Sequence, residues 1–211
     1  MILLTDNDIL IKLSQCDLVE EALSVFQCSL SDLYILDTAK HSLFLRDADK
    51  CIAKRVGNAR AYERLCDFVG SCCELDAAEE NIDFLEEISQ MENVDPGEQQ
   101  LLMHAYDLHH KGESFWLTTG DRKALEGVLN SESAVAKQIL HQRVDCTESI
   151  ILKAMQIYGF ELISQKVSSA MPVTERFDPV LRMSFGNGRD HQHASDCLSN
   201  YLQPVIQFIR P

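Results

Sequence analysis

Five carboxylates in this sequence stand where they could do chemistry. Asp6 and Asp8 follow the apolar run Ile2-Leu3-Leu4 in "MILLTDNDIL", Asp95 and Glu98 open "DPGEQQLLMHA", and Asp121 comes directly after "SFWLTTG". Acid at the end of a buried strand is destabilising unless something positive meets it. Carboxylates brought together also repel one another and raise one another's pKa until a cation neutralises them. All-oxygen ligation of this kind suits Mg²⁺ or Mn²⁺ rather than zinc.

The elements that must position these acids follow from hydrophobic periodicity. "ILLT", "DLYIL", "CCEL", "SFWLTT" and "RVDC" read as short strands. Helical spacing fills the intervals: residues 9–26, then Thr38 to about Val69 with a break at Gly57-Asn58. It continues through the acidic "DAAEENIDFLEEISQ" and through a helix from near Glu98 to Lys111 that Gly112 closes. There, Pro96 and Gly97 are expected to stop the preceding helix. After "GDRKALEGVL" and "TESIILKAMQIY" come "FELISQKVSSAM", an irregular stretch from Pro172 to Asp190, and a last helix "ASDCLSNYLQPVIQFI" kinked at Pro204. Strands alternating with helices predict an α/β fold, a central parallel sheet flanked by helices. Sites in such folds lie outside the carboxyl ends of the strands, which is where the acids fall. Residues 1–130 form the expected core. Residues 131–211 supply the remaining strand and a helical C-terminal extension packed on it, since no Gly/Ser- or Pro-rich linker precedes "ESIILKAMQIYGF".

Composition narrows the class further. The chain has 211 residues, and 33 Asp and Glu outweigh 19 Lys and Arg, which disfavours broad attraction to nucleic acid without excluding it as a substrate. Eight cysteines, none in a C-x-x-C pair, read as reduced core thiols, and so as a cytoplasmic protein. No apolar run reaches membrane-spanning length, and the amino terminus reads as a first strand rather than a secretory signal. Trp116 reads as core. His109, His110, His191 and His193 read as a polar helix end and a loose loop.

Three stretches carry a resemblance to the PIN-domain nucleases. "ILLTDNDILIKL" resembles the opening strand and D-x-N-x-L motif of that family, with Asp6 as its first acid. "VDPGEQQLLMHA" is similar to the G-E segment at a helix start, with Glu98 as its acid. "FWLTTGDRKAL" is similar to the T-x-D segment, with Thr119 and Asp121 in the matching places. The resemblance covers residues 1 to about 130. It implies a PIN-like fold and a metal-dependent endonuclease acting most often on RNA, with single-stranded DNA a further substrate. It also implies Mg²⁺ or Mn²⁺ as cofactor and, as in the toxins of toxin–antitoxin pairs, an antitoxin or other protein partner; a homo-oligomer is compatible. Two departures stand out. Asp8 replaces the usual Asn or Ser, and Lys40 and His41 lie near the place of a further family acid, for which Asp37 could substitute.

On this resemblance Asp6, Glu98 and Asp121 are the catalytic, metal-ligating acids. Asp8 and Asp95 position water or stand behind the ligands, and Thr119 holds a water or a carboxylate through its hydroxyl. Lys12, Arg122 and Lys123 are candidate phosphate contacts. Taken singly, Asp6, Asp8 and Asp121 are equally good helix caps, Glu98 a favourable first-turn acid, and the three cations solvated surface. Two other functions compete. One is a catalytically degenerate PIN-like module that binds a partner protein. The other is a haloacid-dehalogenase-like phosphatase opening on Asp6-x-Asp8, against which Leu125 stands where that family needs an acid.

Overall fold

A computed structural model describes residues 1–79, 81–173 and 177–211 of the chain, apart from the side chain of Val173. All five expected strands form: β1 Ile2–Thr5, β2 Leu33–Ile35, β3 Cys73–Glu74, β4 Phe115–Thr119 and β5 Val144–Cys146. They make one sheet in the order β3-β2-β1-β4-β5, and every pairing is parallel. β1 therefore lies in the middle, and the chain reverses its direction of sheet growth between β1 and β4. Their carboxyl ends flank the crevice where an open α/β sheet binds its ligands.

The helices, in chain order, are α1 Asn7–Cys16, α2 Val19–Phe26, α3 Ala39–Ser42, α4 Ala48–Cys51, α5 Ala59–Ser71, α6 Ile82–Ser89, α7 Pro96–His110, α8 Arg122–Asn130, α9 Ala134–Leu140, α10 Thr147–Tyr158, α11 Phe160–Ala170, α12 Pro179–Phe185 and α13 His191–Leu202. They cover both faces of the sheet. Side chains alternate across a strand, and β1 shows it: Leu3 enters the core shared by α1, α2, α5 and α10–α13, while Leu4 enters the core under α6–α9. Both residues are fully buried. Residues beyond 130 contribute to both cores, from Ile150 to Leu198 on one face and from Ala136 to Ile209 on the other. The C-terminal tail also covers the outer edge of β5, where Val144 N donates to Phe208 O and Arg210 N donates to Val144 O, both at 2.9 Å.

Three expectations need correction. Pro96 does not stand outside the new helix but begins it, with Asp95 as N-cap. Proline lacks the N–H that a first helical position leaves unpaired, and its φ is already helical. The acidic stretch from residue 76 is helical only from Ile82, because the Asn81 side chain accepts from Phe84 N and caps the helix there; Glu80 lies outside the described residues. In the segment read as irregular, residues 174–176 lie outside the described residues. Beyond them Asp178 caps α12, accepting from Val180 N and Leu181 N, and Asp190 starts α13 three residues before Ala194. The break at Gly57 occurs as expected. A π-type turn over Ile52–Val56 ends on Gly57 at φ +87°, and the Asn58 side chain caps α5. Among the described residues no helix is long and apolar enough to cross a membrane.

Candidate functional site

Asp6, Asp95, Glu98 and Asp121 reach the carboxyl edge of the sheet because they cap helices there. Asp6 follows β1 at the start of α1: Oδ1 accepts from Asn7 N at 2.7 Å, and Oδ2 accepts more distantly from Asp8 N and Gly120 N, at 3.4 and 3.5 Å. Asp121 follows β4 and caps α8, its Oδ1 accepting from Lys123 N at 2.7 Å. Asp95 and Glu98 form a reciprocal box at the start of α7. Glu98 N donates to Asp95 Oδ1 at 2.9 Å, and Asp95 N donates to Glu98 Oε2 at 2.8 Å. The capping explanation is thus correct for Asp6, Asp95, Glu98 and Asp121 and is also what gathers them, whereas Asp8 lies in the first turn of α1 and caps nothing among the described residues.

These helix starts open on one cleft of about 220 Å³. Asp6, Asp8, Asp95, Glu98 and Asp121 line it together with Ser42 and Arg55. Acids separated by more than a hundred residues therefore share a pocket. Among the described residues none of the five forms a salt bridge. Burial, with the neighbouring Asp8 adding to it, pushes the Asp6 carboxyl up to about 6. Burial pushes Glu98 up to about 8, with the charges of Asp95, Asp6 and Asp121 adding to it against the bond from Asp95 N. Both groups are held in an environment that disfavours their charge.

The walls are fixed by contacts that sequence reasoning does not reach. Asn7 Nδ2 donates to Ser42 Oγ at 3.1 Å, and Arg55 grips the Ser42 carbonyl through Nε and Nη2 at 3.2 and 2.8 Å. Arg55 projects from the π-type turn, a distortion that no residue pattern in 52–56 announces. Gly120 does carry a legible signal, as the glycine between Thr119 and Asp121. A Cβ there would lie 2.4 Å from Asp8 Cβ, so only glycine lets the β4–α8 turn close on the first turn of α1.

No family model, curated protein or solved structure matches this chain.

The other expected site residues divide. Thr119 is buried, and its Oγ1 accepts from Asp121 N at 3.0 Å, so it steadies the turn that carries Asp121. Lys12 does not reach for phosphate: its ammonium pairs with Asp178 at 2.8 Å and donates to Gly120 O at 2.9 Å. It ties the α1 helix, the β4–α8 turn and the C-terminal extension together. Arg122 is likewise engaged, with Tyr201 O at 2.8 Å, with Glu126 at 3.2 Å and over the Tyr201 ring at 4.1 Å. Lys123 is exposed on α8 and lies outside the cleft lining. Asp37 faces a separate groove with Asp76 and His104, and Lys40 pairs with Glu74 at 2.6 Å. Ser42 and Arg55, not an acid, occupy that side of the cleft.

The donor set is all oxygen and forms no salt bridge among the described residues, a chemistry of the kind hard divalent cations take. Glu98 and Asp121 each use one oxygen on a backbone N–H and leave the other without a hydrogen bond among the described residues. Among the described residues no three Asp, Glu, His or Cys side chains are gathered closely enough to hold a metal ion as they stand. The carboxylates share a cleft but are turned toward the backbone groups they cap.

Proposed function

We propose that the chain is a PIN-like, metal-dependent endonuclease, acting on RNA through one Mg²⁺ or Mn²⁺ held by Asp6, Glu98 and Asp121. The observation that carries this reading is the meeting of these acids, none of them in a salt bridge among the described residues, in one cleft at the carboxyl edge of a parallel sheet. Asp6 and Glu98, raised in pKa by burial with neighbouring carboxylates adding to it and lying together in a cleft, have the character of functional-site groups. The cation, when bound, supplies an acidified and oriented water and neutralises charge at the phosphodiester.

The residues of the chain do the rest. Asp6, Glu98 and Asp121 would hold the cation in their charged forms. Asp8, exposed at the mouth of α1, is placed to orient water, and Asp95 orients Glu98 through their reciprocal bonds. Thr119 fixes the turn of Asp121. Lys40 and His41 lie near the place of the further family acid, and the cleft is lined on that side by Ser42 of α3 and by Arg55, which argues for one cation rather than two. The same substitution favours the second reading, a degenerate module that binds a protein partner.

The deciding experiment is cleavage of a mixed panel of single-stranded RNA, structured RNA and DNA, with Mn²⁺ and with chelator, paired with calorimetric titration of Mn²⁺. Chelator-sensitive cutting and a Mn²⁺ affinity that Asp6→Asn lowers are expected. Equal Mn²⁺ affinity in the two proteins would sink the metal site and leave the partner-binding module.

A further inference from the structure

The positive charge of this acidic chain is unevenly placed. Residues 46–64, "RDADKCIAKRVGNARAYER", carry six Lys and Arg against three Asp and Glu, although the whole chain has a net charge of −14. The segment runs from beside the acidic cleft, where Arg55 lines the wall, into α5. There it borders a groove of about 680 Å³ between the end of α1, the start of α5 and α11. Arg60, Arg64 and Lys166 line it with Gln15 and Leu162. Arg60 is exposed and makes no hydrogen bond or ion pair among the described residues. Arg64 and Lys166 are steadied rather than removed: Arg64 Nε pairs with Asp17 at 2.8 Å, and Lys166 with Glu21 at 2.5 Å.

Groove and cleft lie at the two ends of α1, and a contact links their walls. Gln15, in the groove wall, donates through Nε2 to the carbonyls of Arg55 and Val56 at 3.1 and 3.5 Å. Helix α1 begins at Asp6 in the cleft and ends at Cys16 and Asp17 in the groove. Ten helical residues separate the two, about 15 Å at 1.5 Å per residue. That is about four phosphates of a stacked strand at 3.4 Å each.

We propose that this groove, resting on the nuclease reading of the cleft, is the track that holds the sugar–phosphate backbone of a single-stranded nucleic acid beyond the point of cleavage. Its chemistry is particular. Arginine and lysine contact phosphate, but no aromatic side chain lines the groove for bases to stack on. Binding there is therefore led by the backbone, tolerant of base identity and steeply dependent on salt. Each phosphate contact contributes about −0.7 to the slope of log K against log salt for a single strand. A path of about four phosphates also makes affinity rise with length until the strand spans cleft and groove.

The test uses fluorescence anisotropy of a labelled single-stranded decaribonucleotide on the full chain, with a dinucleotide and a duplex as comparisons. The wild type, Arg60→Glu and Asp6→Asn are titrated in chelator at several salt concentrations. Arg60→Glu is expected to weaken decamer binding about tenfold at low salt and to flatten the salt slope by about 0.7. Asp6→Asn, which removes a repelling charge, should bind at least as well as wild type. Arg60 is exposed and outside both cores, so equal melting temperatures will show that its variant is folded. Cleavage assays on the same proteins with Mn²⁺ separate the two ideas. Cutting by wild type with decamer affinity unchanged in Arg60→Glu overturns the track alone. An Arg60-dependent decamer affinity without any cutting keeps the track and overturns the nuclease. Equal affinity for decamer and dinucleotide, preference for duplex, or no binding by wild type overturns the track.

Discussion

Two carboxylate sites on this sheet are treated in opposite ways. Asp145, in β5, is 1% exposed and fully answered. Its Oδ1 accepts from Lys153 Nζ at 2.8 Å and from Ser149 Oγ at 2.7 Å, and its Oδ2 accepts from Arg210 Nε at 2.8 Å. Arg210 in turn lies 3.9 Å over the Trp116 ring, and Lys153 donates to Arg210 O. The cluster fastens the C-terminal tail to the sheet. Two strands away, Asp6 shares its cleft with Asp8, Asp95, Glu98 and Asp121 and has no salt bridge among the described residues. The chain can thus compensate a buried acid when holding the fold is the task. That it leaves the other set uncompensated argues that something from outside completes it.

The sharpest way to break this contrast is to remove Asp145. Asp145→Ala leaves Lys153 and Arg210 partly buried and unpaired, and breaking a buried pair from one side costs about 3–5 kcal/mol. Urea unfolding should show that loss, while cleavage per folded molecule stays near wild type. A loss below about 1 kcal/mol would mean that the two sites are not energetically different.

Asp6→Asn is the opposite experiment. Asparagine caps a helix as well as aspartate does, so α1 keeps its start. Repulsion on Glu98 falls, and apo stability should hold or rise. Loss of even an outer-shell partner typically weakens a metal site 10–100-fold, so cleavage and Mn²⁺ affinity should fall by about 100-fold or more. A variant with unchanged stability, activity and Mn²⁺ affinity would make Asp6 merely a cap.

How much of this could be read from the residues differs between the same two regions. All five strands were legible, because short apolar runs bounded by acids and turns have few other readings, and so was the break at Gly57-Asn58. The acids of the cleft were legible as a set because each follows a strand or opens a helix, and a parallel sheet brings such positions to one edge. The Asp145 cluster was not. Its partners come from α10 and from the last residues of the chain, and nothing local in "RVDC" points to Arg210. Lys12 was misjudged for the same reason: its partner Asp178 lies in the extension, which no motif covered. Arg55 depends on a π-type turn whose sequence looks like ordinary helix.

A third prediction concerns how closely the cleft is assembled. Gly120→Ala drives a methyl to within 2.4 Å of Asp8 Cβ, with Asp8 backbone atoms at 3.2 and 3.3 Å. Either α1 or the β4–α8 turn must shift, at an overpacking cost of about 1–3 kcal/mol. Because Lys12 also bonds Gly120 O, the shift should reach the Lys12–Asp178 pair. Cleavage should fall more than stability alone explains. Unchanged activity at full stability would show that Asp6 and Asp121 need not be held this near one another.

The smallest expected effect sharpens the contrast most, because it reads how burial, with the neighbouring carboxylates adding to it, disfavours charge in the cleft. Glu98 is held at about 8 against an ordinary 4.5, and Asp6 at about 6 against 3.8. Both folded values are raised, so between the unfolded and folded pKa the native state binds more protons than the unfolded chain does. Stability from these groups is then whole below about pH 4 and lost as pH rises toward 8. Glu98 is part-exposed, and with screening by solvent the effect on stability is on the order of 1 kcal/mol, or about 2–4 °C in Tm for a chain of this size. Other acids of this negative chain also titrate, so the informative quantity is a difference. Thermal melts of wild type and Glu98→Gln in chelator should converge near pH 4 and separate by pH 8, with the variant the more stable. Adding Mn²⁺ at pH 8 should reverse that order, since only wild type gains the cation. Parallel melting curves across the whole range, with and without Mn²⁺, would mean that the cleft acids do not feel one another, and the contrast with Asp145 would lose its physical basis.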